Sequence, residues 1–371
     1  MGFEPVRDSL NVCDYAEHRM KPLPLRVATL CSLAVMTGFA SSPNEPSAQA
    51  PPARKEALQP TIAFASTRDN APSTRPFENG GEIYLMNGDG TDLRRLTDNQ
   101  VSDIFPSFAP DGTTIIFESN RRRAAGEPFN VSDLFLMQAD GTEQTWLGRG
   151  SSATWSPDGS SIAFHASASG TGLPATPYPG SATVDSDIFI VNLRDWMEKK
   201  STPRNITENP AAVDDDPDWS PDGRTIIFTS HATSDDYTNA VSAEIYAINA
   251  DGTGESKALT RNRDEERAPS WSPDGKRIVF CCRRGGKPDF DICVMNGDGS
   301  GEVKLTDSPL GDLTPAWSPD GTKIVFHRPK GRGLRAWDLW LVNADGTGES
   351  QLTNAPGYNG FASWGKVRRG L

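Results

Sequence analysis

The sequence predicts an all-β chain, a six-bladed β-propeller of four-stranded antiparallel blades, and three observations carry that prediction. The first is a repeated Trp-Ser-Pro-Asp-Gly followed by an Ile-x-Phe run: Trp155 to Gly159, Trp219 to Gly223, Trp271 to Gly275 and Trp317 to Gly321, with Phe108 to Gly112 as a variant. The second is an answering motif, Ile-Tyr-Leu-Met-Asn-Gly-Asp-Gly-Thr at Ile83 to Thr91. Its relatives are Asp133 to Thr142, Glu244 to Thr253, Asp291 to Ser300 and Asp338 to Thr347, with a degenerate copy at Asp187 to Leu193. The third is that the two ends of the repeat region each hold half a unit.

Each motif joins two strands. In Ser-Pro-Asp-Gly, proline presets φ at the second turn position and glycine supplies the left-handed residue that ends a type I turn. Asn-Ala-Asp-Gly does the same without proline, so both read as short antiparallel hairpins. A unit is then a strand ending at Trp, one carrying Ile-x-Phe, one carrying Ile-Tyr-x-Met, and one closing in Leu-Thr or Ile-Thr, as at Leu96, Ile206, Leu259, Leu305 and Leu352. Four strands at a period of about 47 residues make one propeller blade. Complete units begin near Phe105, Ala153, Asp216, Ala268 and Thr314. The sixth is split: Ile62 to Ser66 lacks a Trp strand before it, and Asn359 to Trp364 is a Trp strand with nothing after it. A propeller must close or leave a sheet edge open. The last strand is therefore expected to be the innermost strand of the first blade. One Trp per blade at a fixed offset is expected to pack between blades, each burial contributing at most about 4 to 6 kcal/mol.

Ahead of the propeller, residues 1 to 19 read as an extension before the true start. From Met20, Lys21 and Arg26 precede an apolar stretch from Val27 to Ala40, and Ala48-Gln49-Ala50 offers a small-x-small cleavage site. Residues 20 to 50 are thus expected to be an export signal, 51 to 60 a linker, 61 to 366 the propeller and 367 to 371 a tail. The expected location is periplasmic or secreted, peripheral to a membrane at most. Cys281, Cys282 and Cys293 remain in that mature chain. A cross-strand disulfide from Cys281 or Cys282 to Cys293 is one reading, and three buried thiols is the preferred one.

The net charge of -12 excludes nucleic acid as a partner, because phosphate binding needs a basic face. Ten acids are turn aspartates, so the informative ones lie elsewhere. In the linkers entering the innermost strands stand Asp103, the run Asp214-Asp215-Asp216, Glu265-Glu266-Arg267 and Asp312. Hairpin alternation puts them, with the long loops, on one face. They are expected to form an acidic rim at the channel mouth that attracts cations or basic peptide segments. Arg121-Arg122-Arg123 and Arg283-Arg284 are candidates to grip an anionic group, and the Pro- and Gly-rich loop from Ser167 to Ser186 is a candidate recognition loop or lid.

Trp-Ser-Pro-Asp-Gly-x-x-Ile-x-Phe alternating with Ile-Tyr-x-Met-Asn-Ala-Asp-Gly-Thr resembles the TolB-type propeller family, from Thr61 to about Gly365. The resemblance implies an envelope protein whose propeller binds a protein partner, as TolB binds a peptidoglycan-associated lipoprotein in the Tol-Pal system. About ten residues separate Ala50 from the first strand. The expectation is therefore the propeller without the α/β domain that precedes it in TolB. The function expected is a monomeric scaffold binding an envelope protein, peptide or glycan, without cofactor or metal.

The alternative is a propeller enzyme, a metal-dependent polysaccharide lyase or a hydrolase. No Gly-x-Ser-x-Gly elbow and no His-Glu-x-x-His spacing occur. His165 and His327 do occupy equivalent positions just after Ile-x-Phe, with His231 two residues beyond that position in blade 4, and some propeller lyases hold a metal with inward histidines. The same position carries Ala65, Glu118, Thr229 and Cys281 in the other blades, which favours ordinary variation.

Overall fold

The computed structural model describes residues 58–69, 80–99, 101–124, 132–167, 186–209, 212–232, 243–262, 264–287, 289–331 and 336–368. Six four-stranded antiparallel sheets account for nearly all of them. Blade 1 runs from the innermost strand Asn359–Arg368 through Leu58–Ser66 and Glu82–Asn87 to Arg94–Arg95. Blades 2 to 6 each follow the chain outward from their innermost strands, which are Asp103–Phe108, Ser151–Trp155, Ala212–Trp219, Glu265–Trp271 and Leu313–Trp317. These six edge strands contact one another in a closed ring, so they form the wall of the central channel.

The split blade closes as the half-units predict. Ile62 pairs with Trp364 and Ser66 with Asn359, and the ladder continues outward to Leu58 opposite Arg368. The hairpin of blade 2 leans on that closing strand: a Cβ on Gly112, at φ +70°, would lie 1.9 Å from the Lys366 carbonyl oxygen. Only glycine fits there.

Side chains of the second strands fill the seams. Phe64, Phe117, Phe164, Phe228, Phe280 and Phe326, the six phenylalanines of Ile-x-Phe, are all buried. The tryptophans cap these seams as expected. The indole N–H groups of Trp155 and Trp317 donate to the Ser107 and Ser270 carbonyls of the preceding blade, at 3.1 and 3.2 Å. The Leu-Thr pair has a different duty from packing alone. The Thr97 hydroxyl accepts the Ile83 N–H and donates to Glu82 at the start of the third strand. Thr207 and Thr353 do the same with Asp187 and Asp338. In blade 2 the Trp146 indole N–H takes over, donating to Asp133.

Two local departures have physical causes. The degenerate motif of blade 3 becomes a helix, Leu193–Met197, because Asn192 accepts the Asp195 N–H as an N-cap. Its Trp196 stacks on Phe164 and fits against Gly148. The cysteines depart from the preferred reading: Cys282 and Cys293 form a disulfide with Cα atoms 5.8 Å apart, within bridging range, and Cys281 alone is a buried free thiol. Neighbouring strands bring the pair together diagonally, since Phe280 rather than Cys282 faces Cys293 in register.

Candidate functional site at the channel mouth

Every innermost strand breaks register once, always three residues before the Trp or Phe that ends it. The break residues are Phe361, Phe105, Ser152, Asp216, Ala268 and Thr314, with φ between 47° and 52°. A non-glycine residue in that region is strained by about 1–2 kcal/mol. The strain turns the backbone N–H toward the neighbouring blade, where a side chain receives it. Ser152 donates to Glu118 (2.6 Å), Asp216 to His165 Nδ1 (3.4 Å), Ala268 to Thr229 (3.1 Å), Thr314 to Cys281 Sγ (3.2 Å) and Phe361 to His327 Nδ1 (3.4 Å). These acceptors occupy the single position after Ile-x-Phe. Glu, His, Thr and Cys share one trait there: each can accept a hydrogen bond. Ala65 in blade 1 is the exception.

That slot explains His165 and His327 without a metal. They sit three blades apart in the ring, each serving its own seam. His327 is further enclosed by Thr314 at 2.7 Å, the Tyr358 hydroxyl at 3.2 Å and the rings of Trp337 and Phe361. Burial pushes His165 and His231 down to about 4 and His327 to about 3, so all three are neutral. Among the described residues no three His, Cys, Asp or Glu side chains are placed to hold a metal.

The rim residues fall into two groups. Five residues before the end of each innermost strand stand Asn359, Asp103, Gly150, Asp214, Glu266 and Asp312. In blades 1, 2, 5 and 6 an arginine just past or within the end of the second strand clamps this side chain. Arg68 donates to Asn359 at 2.9 Å and Arg121 to Asp103 at 2.8 Å, Arg284 pairs with Glu266, and Arg328 grips Asp312 with two bonds of 2.6 and 2.8 Å. Three of these guanidinium groups lie over ring faces: Arg68 over Phe64 and Tyr84, Arg121 over Phe117 and Phe135, Arg328 over Phe326 and Trp340. Glu265 is likewise bound by Arg267 and Arg283. Asp103, Glu265, Glu266 and Asp312 are thus ion-paired parts of the fold, and Arg121, Arg283 and Arg284 are their partners. Arg122 stacks on the half-exposed Trp146.

Blades 3 and 4 lack the clamp. Blade 3 has Gly150, and in blade 4 the position four residues past the Phe, arginine in blades 1, 2 and 5, is Ala232. Asp214 and Asp215 are buried, and an oxygen of each has no partner among the described residues. Asp216 accepts from Ser152 at 3.0 Å, and Asp218 accepts from Thr154 at 3.2 Å and from the Trp271 N–H at 2.7 Å, which stitches blades 3, 4 and 5. Burial raises all four carboxyls, Asp214 and Asp218 to about 6; Asp216 further raises Asp215, and Arg267 opposes the rise in both. Glu118, wholly buried beside them, rises to about 7 for the same reason. The rim is therefore one carboxylate-rich sector and not a uniform ring. The arginine clamps, Asp218 and the bulge ring went unread in the sequence; a fixed offset of three and five residues before the Trp was the signal available. The Ser167 to Ser186 loop lies outside the described residues except for its ends.

The family of the TolB beta propeller domain matches residues 180–368. This chain belongs to that family. Among curated proteins, the Tol-Pal system protein TolB of Francisella tularensis is 32% identical over 90 residues, 24% of this chain and 18% of that one. Dipeptidyl-peptidase 5 of Porphyromonas gingivalis is 40% identical over 67 residues, 18% and 10% of the two chains. The uncharacterized peptidase YuxL of Bacillus subtilis is 32% identical over 211 residues, 48% and 29%. The TolB-family chain thus spans less than a third of the length of each of these relatives. Of solved structures, TolB from Acinetobacter baumannii superposes with a TM-score of 0.61 at 19% identity, covering 82% of this chain and 66% of that one. A putative TolB from Agrobacterium tumefaciens gives 0.55 at 21% identity, covering 85% of this chain and 100% of that one. At such identities the likeness is one of fold.

Proposed function

We propose that this chain is an exported binding scaffold of the cell envelope that engages a protein or peptide partner at the loop face of its channel through the blade 3–4 carboxylates Asp214, Asp215 and Asp216. One observation carries the reading: these are the rim acids that no arginine clamps, with Asp216 partly exposed at the channel and Asp214 and Asp215 buried beside it, each keeping an oxygen without a partner among the described residues. Clamped acids elsewhere are paired with an arginine of their own blade. Kinship with TolB, a protein of the Tol-Pal system, favours a protein partner over a glycan. The Cys282–Cys293 disulfide fits an oxidising compartment. No helix among the described residues is long and apolar enough to cross a membrane. Binding is favoured over catalysis because His165 and His327 each use Nδ1, the accepting nitrogen of the neutral ring, to take a backbone N–H, which leaves that lone pair unavailable to a neighbouring nucleophile.

The test is affinity capture from envelope extract with the protein and a triple Asp214→Asn, Asp215→Asn, Asp216→Asn variant. A salt-sensitive partner should be lost from the variant; a variant that retains every partner at low and high salt overturns the reading. N-terminal sequencing of the periplasmic fraction should find a chain beginning near residue 51.

A further inference from the structure

The six bulge residues form a ring at the free edge of the innermost strands, and their chemistry is uneven around it. From blade 1 onward they read Phe361, Phe105, Ser152, Asp216, Ala268 and Thr314. Phe361 and Phe105 stack with ring centroids 3.9 Å apart, and both remain partly exposed, unlike the buried strand phenylalanines. His327 and Tyr358 hold the Phe361 ring from behind, at 5.4 Å each. Three blades away, and so across the channel from Phe361, stands Asp216. Behind it the buried Asp215 keeps an oxygen without a partner among the described residues, as does the Nε2 of buried His165. One wall therefore offers aromatic faces and the opposite wall offers carboxylates.

We propose, building on the binding reading above, that the channel mouth recognises an extended peptide segment in which a lysine or arginine is directly followed or preceded by an aromatic residue. The ring stacks on the Phe105–Phe361 pair and the cation meets Asp216. Adjacency follows from strand geometry: neighbouring side chains of an extended chain point to opposite sides, and residues two apart point to the same side. An adjacent pair therefore faces both walls within the shortest stretch of chain, and a pair two apart does not. A peptide suits the surroundings as well, because each innermost strand leaves one backbone edge unpaired toward the channel. Ring stacking and a charge pair in the same ligand set selectivity that neither wall has alone.

Fluorescence anisotropy with a fluorescein-labelled Gly-Gly-Lys-Phe-Gly-Gly amide tests this against three controls: Phe replaced by Ala, Lys replaced by Ala, and a glycine inserted between Lys and Phe. The intact peptide should bind roughly three- to ten-fold more tightly than each control. In a Phe105→Leu, Phe361→Leu double variant, which keeps apolar volume, the Phe preference should vanish while the Lys preference persists. Asp216→Asn should do the reverse. A single cooperative melt shows that each variant is folded. If Lys matters but Phe or spacing does not, or if the Leu variant keeps its Phe preference, the aromatic subsite is refuted and the carboxylate reading stands. If neither side chain matters, or no peptide binds, both readings fall.

Discussion

Blades 1, 2, 5 and 6 and blades 3 and 4 share one strand plan but treat the charge at the channel mouth in opposite ways. Where an arginine stands at the end of the second strand, the acid or amide at the mouth is paired within its own blade. In blade 4 the acids run three in a row with no arginine from their own blade, and blade 3 contributes a glycine and the serines Ser151 and Ser152, which donate to the buried Glu118 of blade 2. The difference teaches that acidity at a propeller mouth is not one property. A paired acid stabilises a blade, and an unpaired one holds a destabilising charge that a partner can relieve.

The comparison can be broken most decisively on the clamped side. Arg328→Ala leaves Asp312 buried without its cation and should lower stability by about 3–5 kcal/mol in a denaturant melt. A loss under 1 kcal/mol would mean the clamps are ornamental. Reducing the Cys282–Cys293 bond, which closes a short loop in clamped blade 5, should remove about 3 kcal/mol, read as a lower denaturation midpoint in dithiothreitol.

On the bare side the sign should invert. The folded state raises Asp214 to about 6 from 3.8, so it binds a proton that the unfolded chain does not between about pH 4 and 6. Stability therefore falls as pH rises through that window. Asp214→Asn should gain about 2 kcal/mol near pH 7.5, most of it lost by about pH 4.5. Melts at the two pH values decide it, and a loss of stability at the higher one would place Asp214 with the clamped acids. His165, His231 and His327 act the other way in the whole protein: their lowered values help above about 6.5, and that help is lost as pH falls toward 4. The comparison must therefore be made as a difference between variant and wild type. The smallest effect is expected at the bulge. Thr229→Val strands the Ala268 N–H and should cost about 1 kcal/mol in the same melt.

Much of the fold was legible because its punctuation is local. Ser-Pro-Asp-Gly and Asn-Ala-Asp-Gly act within four or five residues, and Asp158 and Asp89 accept the N–H groups two positions on, as their types require. The split first blade was legible because each half-unit named its missing partner. The site was less so. An Arg68–Asn359 contact joins residues 291 positions apart, and nothing in the local sequence of Arg68 marks it as a clamp. The bulge was hidden because none of its six residues is the Gly or Asn that a left-handed backbone normally selects. Cys282 was hard to pair because the bond runs diagonally between strands.

The meeting of Ser66 with Asn359, 293 positions apart, has a consequence in time. Blade 1 stays a three-stranded remnant with an open edge until the strand Asn359–Arg368 arrives, so the ring cannot finish while the chain is still being delivered. Such a long-range pairing is slow to form. A chain that folds late in this way stays open to unfolding at blade 1 until its last strand has docked, and only then gains the cooperativity of a closed ring.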